Sequence, residues 1–264
     1  MMPLYPFPSP GEVIVFALVL SRIAGIFAAL PTFGGRAVPT NIKVVTAFMI
    51  TLVCFPILKI TPPPMPTDAF SLGLLALSEV AVGLTLALVA QMVFSAVEFS
   101  GQIIGLQMGL TISSILDPTR GTQVQIMSVL QSLFATLLFL SLDVHHVFIR
   151  AVVESFRVIP IGGWHVSGQL VSFLVQRTSD IFVLGIRLAA PVMVSLLLAT
   201  VALGVMARAF PQMNVFIVSM PLNIGLGFLI MGGTLMIFFH VLEVSFGNLS
   251  GQINTLFRLM AKGG

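Results

Sequence analysis

The chain is a succession of long apolar runs separated by short polar or proline-rich breaks. The last third shows it best. Leu188–Ala207 is twenty residues and Ala209–Leu242 is thirty-four; neither contains Asp, Glu, Lys or Arg, and only Arg208 stands between them. Twenty residues of α-helix rise about 30 Å, the thickness of a bilayer's hydrocarbon core. The two runs therefore predict a hairpin of long membrane helices. Four more apolar segments precede it: Val13–Leu30, Val44–Leu58, Phe70–Val97 with Glu79 inside it, and Val124–Leu142. The first closes in the polar turn Pro31–Pro39. The second closes in Lys59 and the prolines of Pro62–Pro66, which have no backbone N–H to give and predict an extended connection. After Leu142 comes a more polar, amphipathic region, His145–Arg177, containing Gly162-Gly163-Trp164. Met1–Pro10, with four prolines, reads as an extended lead-in, and Gly251–Gly264 as a mildly basic tail. The pattern predicts an all-α, polytopic integral membrane protein with no soluble domain between its segments.

Composition sharpens this. The chain is 57% hydrophobic and only 8% charged, against about 25% charged in soluble domains. The net charge of +3 comes from basic residues scattered singly, so it marks no nucleic-acid surface. Cys54 is the sole cysteine, which excludes an internal disulfide and a cysteine metal site. There is one Trp and one Tyr, against 22 Phe. Lipid-bathed proteins place Trp and Tyr as belts at both interfaces. Their scarcity fits an apolar surface facing other protein, or the ordinary variation of small membrane proteins. Six spanning helices would put Lys59, Arg150, Arg157, Arg177, Arg258 and Lys262 on one side and Arg36, Lys43, Arg120 and Arg208 on the other. Six against four specifies orientation weakly. Either partners set the orientation, or some segments do not span in the ordinary way.

Three places carry candidate function. In Gly101-Gln-Ile-Ile-Gly105-Leu-Gln-Met-Gly109 the glycines recur every four residues, which on a helix lets another backbone approach one face. The segment continues through Leu110, Ile112, Ile115 and Leu116 to Asp117-Pro118, a step that ends any helix. It is too polar for a lipid-facing span and too apolar for a loop in water. Non-helical backbone at membrane depth persists only inside protein or along a cavity, so one reading is a re-entrant plug made by Gly105, Leu106, Gln107, Met108, Gly109, Leu110, Ile112, Ile115, Leu116, Asp117 and Pro118. The other is a glycine-rich packing helix followed by a surface turn. Second, Arg22, Glu79, Glu98, Arg187 and Glu243 are isolated charges in apolar surroundings, each needing an interface, a partner or a polar cavity; ion pairing suits them better than a proton relay. Third, Arg208, Phe210, Pro211, Gln212, Met213 and Asn214 form the polar tip of the hairpin, which reverses the chain and offers a docking point. His145-His146 and His240-x-x-Glu243 lack a nearby third ligand, so no metal is expected. No nucleophile, phosphate-loop or dinucleotide motif appears.

These segments resemble the FliR family of flagellar biosynthetic proteins. The resemblance rests on Phe33-Gly-Gly-Arg-Ala-Val-Pro39, Gly101–Pro118, Phe139–His146 and, most specifically, Ala189–Phe216 with Ala207-Arg-Ala-Phe-Pro-Gln-Met-Asn-Val-Phe216. Virulence type III secretion counterparts share the architecture. The resemblance implies a non-enzymatic, cofactor-free subunit of the flagellar type III export gate, in the inner membrane at the flagellar basal body. It implies assembly with FliP and FliQ homologues around a pore that passes flagellar proteins, a FliP-like part over 1–178 and a FliQ-like hairpin over 179–264. It also implies a pore-closing loop at Gly105–Gly121, and a tip at Arg208–Asn214 facing FlhB and FlhA homologues. The alternative from another class is a multi-span small-molecule or ion transporter, with an intramembrane carboxylate such as Glu79 or Glu243 coupled to protons.

Overall fold

A computed structural model of the chain describes residues 10–30, 39–58, 60, 68–110, 125–210, 212 and 214–261. Residues 1–9 of the lead-in, the Pro31–Val38 part of the first turn, the Pro62–Pro66 run and residues 111–124 lie outside them, and Pro10, the last residue of the lead-in, begins α1. Every regular element among the described residues is α-helical: α1 (Pro10–Ala29), α2 (Thr40–Leu58), α3 (Ala69–Gln107), α4 (Ile126–Ser141), α5 (Val144–Val158), α6 (Gly168–Ala209), α7 (Val215–Gly233), α8 (Leu235–Gly247) and α9 (Leu249–Ala261). Four of them, α1, α2, α3 and α6, are long and apolar enough to cross a membrane. The count reaches six if α4 with α5, and α7 with the helices after it, are each taken as one broken span. The all-α polytopic reading therefore holds. At 39 and 42 residues, α3 and α6 are about 58 and 63 Å long, roughly twice a hydrocarbon core.

Two segments differ from the sequence reading. The second arm of the hairpin does not continue unbroken to Leu242. It stops at Gly232-Gly233-Thr234, where Thr234 caps α7 through its N–H to the Ile230 carbonyl at 2.8 Å. Two glycines in succession remove the helix preference that the surrounding apolar residues supply. The supposed basic tail is helical to Ala261. Its buried residues, Leu249, Ile253, Leu256, Phe257 and Met260, recur at helical spacing, a stripe masked by the polar residues between them.

The chain forms two compact units. The first comprises Met1–Gln91, Asp143–Gln176 and Asn248–Gly264. Within it α1 packs on α2, with Phe16 edge-on to Phe48 and Phe55 at 5.7 and 5.4 Å. Helix α1 crosses α3 so closely that a Cβ added at Gly25 would lie 2.6 Å from the Val80 carbonyl oxygen, and one at Gly83 would strike the Arg22 carbonyl. Glycine is required at both positions for the two backbones to meet. Helix α3 starts at Asp68, whose carboxylate accepts the Ser71 N–H at 3.2 Å and the Ser71 hydroxyl at 2.7 Å. Those bonds, the hydroxyl's first, hold the Asp68 carboxyl below its ordinary pKa. Helix α5 buries Val144, Phe148, Ala151, Val152, Ser155 and Phe156 and packs against α9.

The second unit comprises Met92–Leu142 and Arg177–Gly247. One of its cores is a triangle of rings. Phe94 lies 5.7 Å from both Phe139 and Phe246, and those two are 5.6 Å apart. All three are buried, joining α3, α4 and α8. Phe139→Ala should cost about 3–5 kcal/mol through the cavity it leaves, read as a lower thermal midpoint of the purified chain in mild detergent.

Candidate functional site

The candidate plug begins on helix. Gly105–Gln107 are the last residues of α3, and Gly109 has φ +79°. The Leu110 N–H bonds the Gly105 carbonyl and the Gly109 N–H bonds the Leu106 carbonyl, both at 3.1 Å. This is a Schellman stop, and its left-handed residue suits glycine because a Cβ there would be strained. Of the three recurring glycines, Gly101 lies at a close approach: a Cβ on it would sit 2.5 Å from Ser128 Cα. The Ser128 hydroxyl donates to the Glu98 carbonyl at 3.0 Å across the same crossing. Gly105 is buried, while Gly109 stands past the helix as its terminator.

Met108 is buried in a cluster with Ile104, Met127, Ala189, Val192 and Leu196, and Leu110, Ile224, Ile230 and Met231 pack against that cluster. A Cβ added to Gly227 would lie 2.7 Å from Met108 Cγ. The stem of the candidate plug is thus wedged among α4, α6 and α7. Leu106 is exposed and Gln107 half-buried. Ile112, Ile115, Leu116, Asp117 and Pro118 lie outside the described residues.

At the hairpin tip Arg208, Phe210, Gln212 and Asn214 are all exposed; Pro211 and Met213 lie outside the described residues. Asn214 takes the N-cap position of α7 without using its side chain as a cap. That amide, the Gln212 amide, the Arg208 guanidinium and the Phe210 ring present a polar surface with one aromatic anchor.

The isolated charges divide into two groups. Arg22 and Glu79, 57 residues apart, form a fully buried ion pair. Arg22 Nε and Nη2 both lie 2.6 Å from Glu79 Oε2. Nη1 donates to the Ser155 and Ile159 carbonyls at 3.0 Å each and to the Ser155 hydroxyl at 3.3 Å. The guanidinium carbon stands 4.1 Å over the Phe156 ring. Glu79 Oε1 accepts the Gly162 N–H at 3.0 Å. Gly162 has φ +76°, and a Cβ there would crowd Leu75. Glu79, one of the two carboxylates that a proton-coupled transporter would use, is engaged on both oxygens. Glu98, Arg187 and Glu243, by contrast, are exposed on apolar helices and form no ion pair among the described residues.

The structure also corrects the histidine pair. Sequence spacing showed no third ligand, but Asp143 Oδ1 lies 3.4 Å from His146 Nδ1 and 3.9 Å from His145 Nε2. Asp143 has φ +54°, ahead of α5, and that turn folds the carboxylate back toward both rings. All three residues are partly or fully exposed. His240 and Glu243 form no such group among the described residues.

Comparison with known proteins adds what geometry does not. A family described as "Bacterial export proteins, family 1" matches residues 13–249. A flagellar biosynthetic protein FliR from Bacillus subtilis is 33% identical over 93% of this chain and 94% of its own length. A protein of the same name from Escherichia coli is 32% identical over 80% of each chain, and one from Aquifex aeolicus 30% over 84% and 86%.

Removing one member of the Arg22–Glu79 pair strands the other in a dry interior. Arg22→Ala or Glu79→Gln should each destabilise by about 3–5 kcal/mol, whereas Arg22→Met with Glu79→Leu should recover most of that loss. Unfolding of the three variants in detergent measures it.

Proposed function

The chain belongs to family 1 of the bacterial export proteins, and from that premise we propose that it is a structural subunit of the flagellar type III export gate, forming with FliP and FliQ homologues the pore through which flagellar proteins pass. Membership itself makes the chain a flagellar export component of the membrane, a part of an export apparatus and not an enzyme. The finer reading adds the inner membrane and basal body, a FliP-like part over 1–178 and a FliQ-like hairpin over 179–264. It also adds a plug at Gly105–Gly121, and a tip at Arg208–Asn214 that meets FlhB and FlhA homologues.

One observation carries the partnered reading. Arg187 stands exposed midway along the 42-residue apolar α6, without an ion-pair partner among the described residues. A charge at the bilayer centre costs about 2.5–3.5 kcal/mol on insertion scales. Glu98 and Glu243 are exposed in the same way, and so are Leu197, Leu198, Val201 and Val205 further along α6. A helix that shows charge and large apolar side chains together suits a wall of neighbouring subunits, which supply both counter-charges and packing. Its length, twice a hydrocarbon core, suits the same setting.

The plug reading draws on the Schellman stop at Gly109. It ends α3 in an apolar setting and hands the chain to a segment rich in Ile and Leu. An apolar constriction excludes ions by dewetting and still yields to a polypeptide.

Mild-detergent capture of the tagged chain tests the assembly. FliP and FliQ homologues should co-purify; a chain recovered alone, spanning by itself, refutes the reading. Deleting Leu110–Leu116 should leave that capture intact and raise ion conductance of the assembled gate by an order of magnitude or more. Unchanged conductance removes the plug.

A further inference from the structure

Helices α5 and α9 match in pattern. Each buries residues at helical spacing against the first unit, and each directly follows an apolar helix in the sequence. Strongly amphipathic helices in that setting lie where apolar medium gives way to water. Between them is an open cavity of about 510 Å³. Helix α5 lines it with Arg150, Glu154 and Arg157, and α9 with Ser250, Asn254 and Phe257. Arg157 Nη1 lies 3.6 Å from Glu154 Oε2, so those two charges answer each other. Arg150 is exposed and has no ion-pair partner among the described residues. The cavity thus carries one net positive charge, on a guanidinium whose donors are unspent, beside an apolar wall.

We propose that this cavity is a headgroup site for an anionic phospholipid. The planar fork of Arg150 fits two oxygens of a phosphodiester. The Ser250 hydroxyl and the Asn254 amide stand on the opposite helix as further donors. The exposed Ile149 and half-buried Val153 side chains, which line the cavity from α5, offer the acyl region an apolar surface. A zwitterionic headgroup would bring an ammonium, which the cavity's net positive charge disfavours. The site therefore selects for net negative charge. An acidic peptide would satisfy Arg150 and gain nothing from the apolar wall. Basic clefts beside membrane helices take acidic lipid headgroups by this same chemistry.

The test uses the full chain in mild detergent, titrated with phosphatidylglycerol or phosphatidylcholine and read by native mass spectrometry. Phosphatidylglycerol adducts should survive at concentrations where phosphatidylcholine adducts do not. Arg150→Gln should raise the half-saturating phosphatidylglycerol about tenfold, Arg150→Lys should restore part of the loss, and Lys43→Gln, which does not line the cavity, should have no effect. Because Arg150 is exposed, its replacement leaves the packed faces intact, and an unchanged thermal midpoint without lipid verifies that. Equal retention of the two lipids, or Arg150→Gln binding as the parent does, overturns the proposal. So does protection of Arg150 from arginine-directed labelling by a co-purified protein with no response to phosphatidylglycerol.

Discussion

A guanidinium inside a bundle of apolar helices is stable only if its charge is answered by a counter-charge and hydrogen-bond acceptors, and the first unit is organised around supplying them. Arg22 from α1 reaches Glu79 on α3, two carbonyls near the end of α5 and the face of Phe156, while Glu79 holds the turn at Gly162. The contact exists because glycines at 25 and 83 let the α1 and α3 backbones meet. A well-packed apolar pair would hold the same space at similar stability. What the ion pair adds is register. Sliding α1 by one turn would leave a desolvated charge facing hydrocarbon, an error that apolar packing alone penalises far less.

The second unit uses different means. Its described core is rings and flexible apolar side chains: the Phe94–Phe139–Phe246 triangle and the Met108–Met127 cluster. Its charges Glu98, Arg187 and Glu243 are turned outward. Methionine adapts to irregular gaps, so the stem below the candidate plug sits in a setting that tolerates repacking. The first unit is pinned by directional bonds, and the second is held by shape.

Much of this was legible in the sequence because apolar run length dominates a membrane chain. The helices, the break after Leu142 and the hairpin tip at Arg208–Asn214 follow from where charges, glycines and prolines fall. Other features depend on what run length does not encode. The sequence shows Arg22 and Glu79 as charges in need of partners, but a pairing across 57 residues is one of several that five scattered charges allow. Asp143 sits two residues from His145, and only its positive φ turns it to both rings. Gly109 shared the four-residue spacing of Gly101 and Gly105 and yet ends the helix, since spacing does not report φ. Helix α9 reads as a tail in the sequence because its apolar stripe is diluted by Ser250, Gly251, Gln252, Asn254 and Thr255. The hairpin's second arm reads as continuous through Thr234 because glycine and threonine count as uncharged in a hydropathy run.

The first unit is assembled from three stretches of sequence, the last of which, α9, packs against α5. A ribosome delivers α5 roughly a hundred residues before α9, a delay of seconds at ordinary elongation rates. During that interval the face of α5 that α9 will cover is bare, while the Arg177–Gly247 part of the second unit is still being made. The nascent chain must therefore be sheltered at the membrane until synthesis reaches Met260, and loss of the final helix would injure the part of the molecule that was translated first.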